Sequence, residues 1–153
     1  MPIKSFRGLM GNGELETIPL QTNNGLTGYR VVKFQLFPHD VDGSASMEDL
    51  VQIWKTSAAA STATVDCDFS NNQLLGAGYY VRSLNSSAPY VATIAEAQTI
   101  FDNEVFNQDI YVTMNTGQTG SKINYYIELE QINLSLDEAT VATLKDIRNT
   151  GSQ

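Results

Sequence analysis

Residues 125–134 read YYIELEQINL, and the alternation within them decides the fold. Tyr125, Ile127 and Leu129 share one parity, while Tyr126, Glu128 and Glu130 share the other. A period of two marks a strand with one dry side and one wet side. Glu128 and Glu130 also invite an acid–base reading. A retaining glycosidase, however, sets its carboxyl groups about 5 Å apart, normally on separate strands. Two positions apart on one strand, these side chains project the same way at roughly 6.5–7 Å. No identifiable partner group or desolvating pocket would raise one of the two pKa values. They belong to the solvated side.

Working outward, DIYVTMN (109–115) and the glycine-rich TGQTGS (116–121) predict a hairpin with this strand. Downstream, Ser135 with Glu138 three residues later fits a helix capping box. Asp137 and Glu138 open that segment and Lys145 and Arg148 close it, as a helix dipole favours. Val141, Leu144 and Arg148 lie at near-helical spacing, although Thr140, Val141 and Thr143 lower helix propensity and keep an extended tail as the alternative.

Upstream, YRVVKFQLFP (29–38) predicts a strand with Val32, Phe34 and Leu36 inward and Lys33 and Gln35 outward. ETIPLQT (16–22) is a short strand that Pro19 confines to an edge or a bulge. Asn24-Gly25 between them is a hairpin signal. LVQIWK (50–55) is apolar on both parities, a strand covered on two sides, with a helix over Met47 to Trp54 as rival. TSAAASTAT (56–64) reads as a small-residue linker or edge. In TVDCDFS (64–70) Val65, Cys67 and Phe69 share a parity, which predicts a strand with Cys67 as a small buried hydrophobe. LLGAGYYVRS (74–83) follows as a strand in which Gly76 and Gly78 mark a bulge or a close backbone approach. A short helix is expected over Thr93–Ile100. Residues 1–13 show neither period and read as an N-terminal arm.

These segments amount to six to eight antiparallel strands, an all-β chain folded as a β-sandwich or jelly roll. The expected boundaries are an arm at 1–13, a single domain at 14–149 including the C-terminal segment, and a tail at 150–153. Composition agrees. Of 153 residues, 42% are hydrophobic and only 17% charged, which excludes a disordered chain and a long coiled helix. The net charge of −8, from 17 acidic and 9 basic residues, argues against nucleic acid as a partner. No apolar run is long enough for a membrane span or a secretory leader, so synthesis in the cytoplasm and no membrane partner are expected.

Chemistry is hard to place. With one histidine and one cysteine the common zinc sets cannot be assembled, and no other metal or cofactor is expected. DVDGS (40–44) begins like a calcium loop, but Ser44 and Val51 stand at its fifth and twelfth positions. A catalytic triad would have to use His39, and no G-x-S-x-G places a nucleophile. GLMGNG and GQTGSK miss the phosphate-loop pattern. Seven tyrosines could stack on sugar rings, though most sit within predicted strands, where packing is their ordinary use. An enzyme is not expected.

Several phrases, MPIKSFRGLM, NNGLTGYRVVKFQLFP, FDNEVFNQDIYVT and NYYIELEQINLSLDEATVATLKDIRN, resemble small virion structural proteins of marine tailed phages, of the cyanophage type. The similarity runs nearly the full length and is densest after Ile100. It carries no site motif. It implies a capsid decoration or cement protein on the virion surface, with the major capsid protein as partner and a homo-oligomer, by analogy a trimer. A tail, neck or fibre-associated protein with a receptor- or glycan-binding role is the alternative. On that reading the arm would bridge capsomers. Phe6, Leu9 and Met10 would enter grooves, Lys4 and Arg7 would pair with acidic rims, Ile3 is a further contact candidate, and removal of residues 2–10 would leave the fold intact.

Overall fold

The computed structural model describes residues 2–22, 24–41, 46–83, 94–117 and 120–151, and these form eight strands and two helices. The strands are β1 (Ile3–Gly11), β2 (Leu15–Ile18), β3 (Thr27–Pro38), β4 (Met47–Trp54), β5 (Leu74–Ser83), β6 (Ile94–Phe101), β7 (Ile110–Thr116) and β8 (Lys122–Asn133). Helix α1 (Ser57–Ser61) follows β4, and α2 (Leu136–Gly151) closes the chain. All pairings are antiparallel, in a three-stranded sheet ordered β1-β8-β3 and a five-stranded sheet ordered β2-β7-β4-β5-β6. The chain is a β-sandwich.

Its connectivity is that of a rolled ribbon. A jelly roll folds the chain at its middle into a long hairpin, pairing the first strand with the last, the second with the seventh, and so inward. Here β1 pairs β8, β2 pairs β7 and β4 pairs β5. The remaining couple departs from the scheme. β6 bonds to β5 instead of to β3, and the edge of β3 is met at Tyr29 by Phe106, through N–H to O=C bonds of 2.8 and 2.9 Å.

The dry side of β8 is the one its alternation indicates. Ile123, Tyr125, Ile127 and Leu129 are buried against Phe34 and Val31 of β3, Val51 and Ile53 of β4, and Val112 and Met114 of β7. A second, smaller cluster packs Trp54 and Leu74 under α1 through Ala59 and Ala60. The Trp54 indole N–H donates to Thr113 Oγ1 at 2.9 Å, so its polar end is satisfied inside. β4 is therefore covered on both faces as expected, and as a strand.

Several expectations are corrected. Residues 3–11 are no arm: β1 zips along β8 from Ile3↔Glu130 to Gly11↔Lys122, and Met10 is fully buried. Gly8 lets the strand pass close to the hydrogen bond from the Tyr125 hydroxyl to Glu16, because a Cβ there would lie 3.0 Å from both side chains. In β3 a bulge between Val31 and Lys33 turns Val32 outward, so the inward set is Tyr29 and Val31 before it and Phe34 and Leu36 after it. The β7–β8 and β2–β3 connections arch between sheets instead of closing hairpins. Residues 64–70 are irregular, with Cys67, Val65 and Phe69 exposed. The stretch 56–64, read as a linker or edge, holds helix Ser57–Ser61, capped by Thr56; of the segment read as helix, residues 94–100 are part of β6, and Thr93 lies outside the described residues. Gly76 and Gly78 do admit a close neighbour: a Cβ on Gly78 would sit 2.7 Å from Thr99 of β6.

Helix α2 forms as its caps predict, with the Glu138 backbone N–H donating to Ser135 Oγ at 3.2 Å. It rests on the sandwich through small residues, Ala139 and Ala142, and through one buried amide. Asn107 Nδ2 donates to the Gly25 carbonyl at 3.0 Å, to Thr143 Oγ1 at 2.9 Å and to the Ala139 carbonyl at 3.3 Å. On the same side, burial pushes the Asp146 carboxyl up to about 6, with nearby Lys55 pulling it down and Glu104 adding to the rise.

Two predictions follow from this packing. Met10→Ala is expected to cost about 2–5 kcal/mol in urea unfolding, and removing residues 2–10 to abolish cooperative melting; a truncated chain that melts like the full one would contradict the place of β1. For Asp146 the folded value lies above the ordinary 3.8, so its stabilising contribution is complete below about pH 4 and is lost as pH rises through about 6. Asp146→Asn should therefore raise the melting temperature at neutral pH and leave it unchanged below about pH 4.

Candidate docking face on the three-stranded sheet

The wet side of β8 does not stand alone. Its register with β1 and β3 aligns four outward rows of three residues. They are Ile3–Glu130–Arg30, Ser5–Glu128–Lys33, Arg7–Tyr126–Gln35 and Leu9–Asn124–Phe37. Cross-strand neighbours at this spacing touch, and the face is tied together accordingly. Arg30 holds Glu130 through Nε at 2.7 Å and Nη2 at 2.6 Å. The Tyr126 hydroxyl donates to Glu128 Oε1 at 2.8 Å, and Lys33 Nζ stands 5.9 Å from the centre of the Tyr126 ring.

The opening pair of glutamates thereby receives a structural assignment. Glu130 is matched by a guanidinium and Glu128 accepts from a phenol, so each orients a neighbour. The Glu128 hydrogen bond, with desolvation and the glutamate charge behind it, raises the Tyr126 pKa, and Ser5 and Arg7 act the other way. The phenol stays protonated at neutral pH and serves as a donor, not a base.

Charge and apolar surface coincide here. The three strands carry Lys4, Arg7, Arg30, Lys33 and Lys122 against only Glu128 and Glu130, a net of +3, in a chain whose total is −8. The rest of the chain thus holds −11. Among these charges Phe37 is 66% exposed, Ile3 52% and Leu9 39%. A groove of about 850 Å3 runs across the lower rows, between Arg7, Leu9, Gln35, Phe37, Asn124 and Tyr126 on the sheet and Gln98 and Thr99 of β6.

The six residues singled out from the sequence divide by parity. Ile3, Arg7 and Leu9 point outward and join this face. Lys4, Phe6 and Met10 share the other parity. Lys4 stays solvent-exposed at the rim, with Nζ 3.4 Å from the Tyr29 hydroxyl. Phe6 is half-buried against the core, and Met10 is inside it and unavailable to a partner. Arg30, Phe37, Tyr126 and Asn124 also belong to this face. The wet parity of β8 pointed to Tyr126 and Asn124 and the Lys33–Gln35 parity of β3 to Phe37, while the bulge at Val32 hid Arg30.

Other chemical centres are absent among the described residues. No three His, Cys, Asp or Glu side chains are placed to hold a metal ion. His39 is exposed at the end of β3. Asp42–Ala45 of the calcium-like loop, Gln118 and Thr119 of the second glycine loop, and Tyr90 lie outside the described residues. No described helix is long and apolar enough to cross a membrane. Asp49 is buried, its carboxyl raised chiefly by desolvation and steadied by Thr116, by Ser121 Oγ at 2.8 Å and by Arg82. It is a polar tie between β4 and Ser121, just ahead of β8. No family model, curated protein or solved structure matches the chain.

If the rows are surface chemistry and not a structural core, the Arg30–Glu130 pair contributes little to folding. Glu130→Gln should lower stability by no more than about 1 kcal/mol in urea unfolding.

Proposed function

We propose that the chain is a non-enzymatic virion structural protein, a capsid decoration or cement protein that attaches to the outer shell through the outer face of β1, β8 and β3. One observation carries this reading: an outer face with Arg7, Arg30, Lys33 and Lys122 against Glu128 and Glu130, a net of +2, and with exposed Ile3, Leu9 and Phe37, set in a chain whose total is −8. Such a face is drawn to an acidic surface and orients the molecule before contact. The apolar side chains then seat in the partner, and the acidic remainder faces away and keeps free copies apart. The major capsid protein is the partner this reading requires. The rolled-ribbon connectivity recurs in capsid domains and in lectins, an analogy of fold and not of site. Energy on this scheme comes from interface area and from many copies side by side.

A second reading has its own support. Tyr126 with Arg7, Gln35, Asn124 and Gln98 gathers an aromatic ring, a guanidinium and three amides around one groove, a set able to stack on a sugar and bond its hydroxyls. A tail, neck or fibre-associated protein that binds a receptor glycan would use it so.

Binding of the purified chain to undecorated shells separates the two. The decoration reading predicts saturation at one copy per capsid subunit or a simple fraction of that, weakening as salt rises. Arg7→Glu with Lys33→Glu should reduce occupancy at least tenfold while leaving the melting temperature unchanged. Failure to bind shells, together with glycan binding lost on Tyr126→Ala, would replace it by the second reading.

A further inference from the structure

Helix α2 is inverted with respect to an ordinary surface helix: it turns small residues to the body and large ones away. Ala139 and Ala142 are buried, whereas Leu136, Val141, Leu144 and Ile147 are between 51% and 72% exposed. On a helical wheel Leu136, Thr140, Leu144 and Ile147 fall within an arc of about 80°, with Val141 beside them. An apolar groove of about 490 Å3 runs along the Val141 flank, lined by Val105, Ile132, Leu134, Val141 and Ala142. A ridge of large aliphatic side chains thus stands next to a trough of matching chemistry.

We infer that α2 is a self-association face, which packs antiparallel on α2 of a second copy about a twofold axis. A twofold contact joins a surface to itself, so a ridge with an adjoining trough is self-complementary without any foreign partner. Charge selects the direction. Asp137 and Glu138 open the helix and Lys145 stands two turns later. Antiparallel packing centred near Val141 sets the acidic pair of one copy against Lys145 of the other, whereas parallel packing sets like against like. The stripe shares no residue with the docking face of the three-stranded sheet, so the inference stands whatever that face binds.

Two consequences are measurable. A helix pair this short covers less than the roughly 800 Å2 per partner of a firm complex, so association is weak in free solution and strengthens where copies are held side by side. Each chain carries −8, so salt should favour the pair by screening repulsion between copies. That is opposite to the salt response of attachment through the basic face.

Sedimentation of the full chain over a wide concentration range, at low and high salt, tests this. The average mass is expected to climb from 16.8 kDa towards twice that value, and to climb further at high salt. Leu144→Glu with Ile147→Glu, both at exposed positions, should hold it at the monomer with an unchanged circular dichroism spectrum. Asp137→Lys should weaken association several-fold, and adding Lys145→Asp should restore it. A wild-type chain that stays monomeric at every concentration would overturn the inference and leave the stripe to a foreign protein. A mass three times the monomer, or association indifferent to the stripe variant, would overturn it too.

Discussion

Strand β8 is paired on both sides along most of its length, and every other feature hangs on that constraint. With β1 on one edge and β3 on the other, it can neither slip nor twist away, because a one-residue shift would turn Ile123, Tyr125, Ile127 and Leu129 into water. The same register fixes what appears on the reverse. Tyr126, Glu128 and Glu130 are delivered to fixed positions between Arg7 and Ser5 on one side and Arg30, Lys33 and Gln35 on the other. The strand that organises the core therefore also organises the face proposed to bind.

Segregation of charge is the second consequence. A small acidic protein gains solubility from its net charge but repels most biological surfaces, which are acidic too. Gathering five of the nine basic residues on three adjacent strands escapes that conflict. The proposed attachment would then run through one side only. Glu130 holds the Arg30 guanidinium and Glu128 the Tyr126 hydroxyl, so these two side chains are fixed on the face in one arrangement.

Much of the sandwich was legible because period two is a direct imprint of a half-buried strand. YYIELEQINL needed nothing else, and Ser135 with Glu138 announced α2, whereas LVQIWK, apolar on both parities, left strand and helix open until the structure showed β4. What failed did so for physical reasons. β1 is an edge strand whose outward residues, Ile3, Arg7 and Leu9, mix apolar with basic chemistry, and it borrows its order from β8 instead of showing it. The bulge at Val32 inverts the parity of β3 midway, which no count of alternation anticipates. Residues 64–70 alternate as a strand would, yet find no partner strand and remain a loop with Cys67 in solvent. The docking face was only half visible, since its rows are built by pairing β8 with two segments from the far end of the chain.

The central claim is that adhesion runs through the outer face of the three-stranded sheet. A cryo-electron microscopy map of the intact particle addresses it most directly. The account predicts the chain on the capsid exterior with the Arg7, Tyr126 and Phe37 rows against the shell and the acidic side in solvent. A map showing the chain held by any other surface, with those rows open to water, would contradict it.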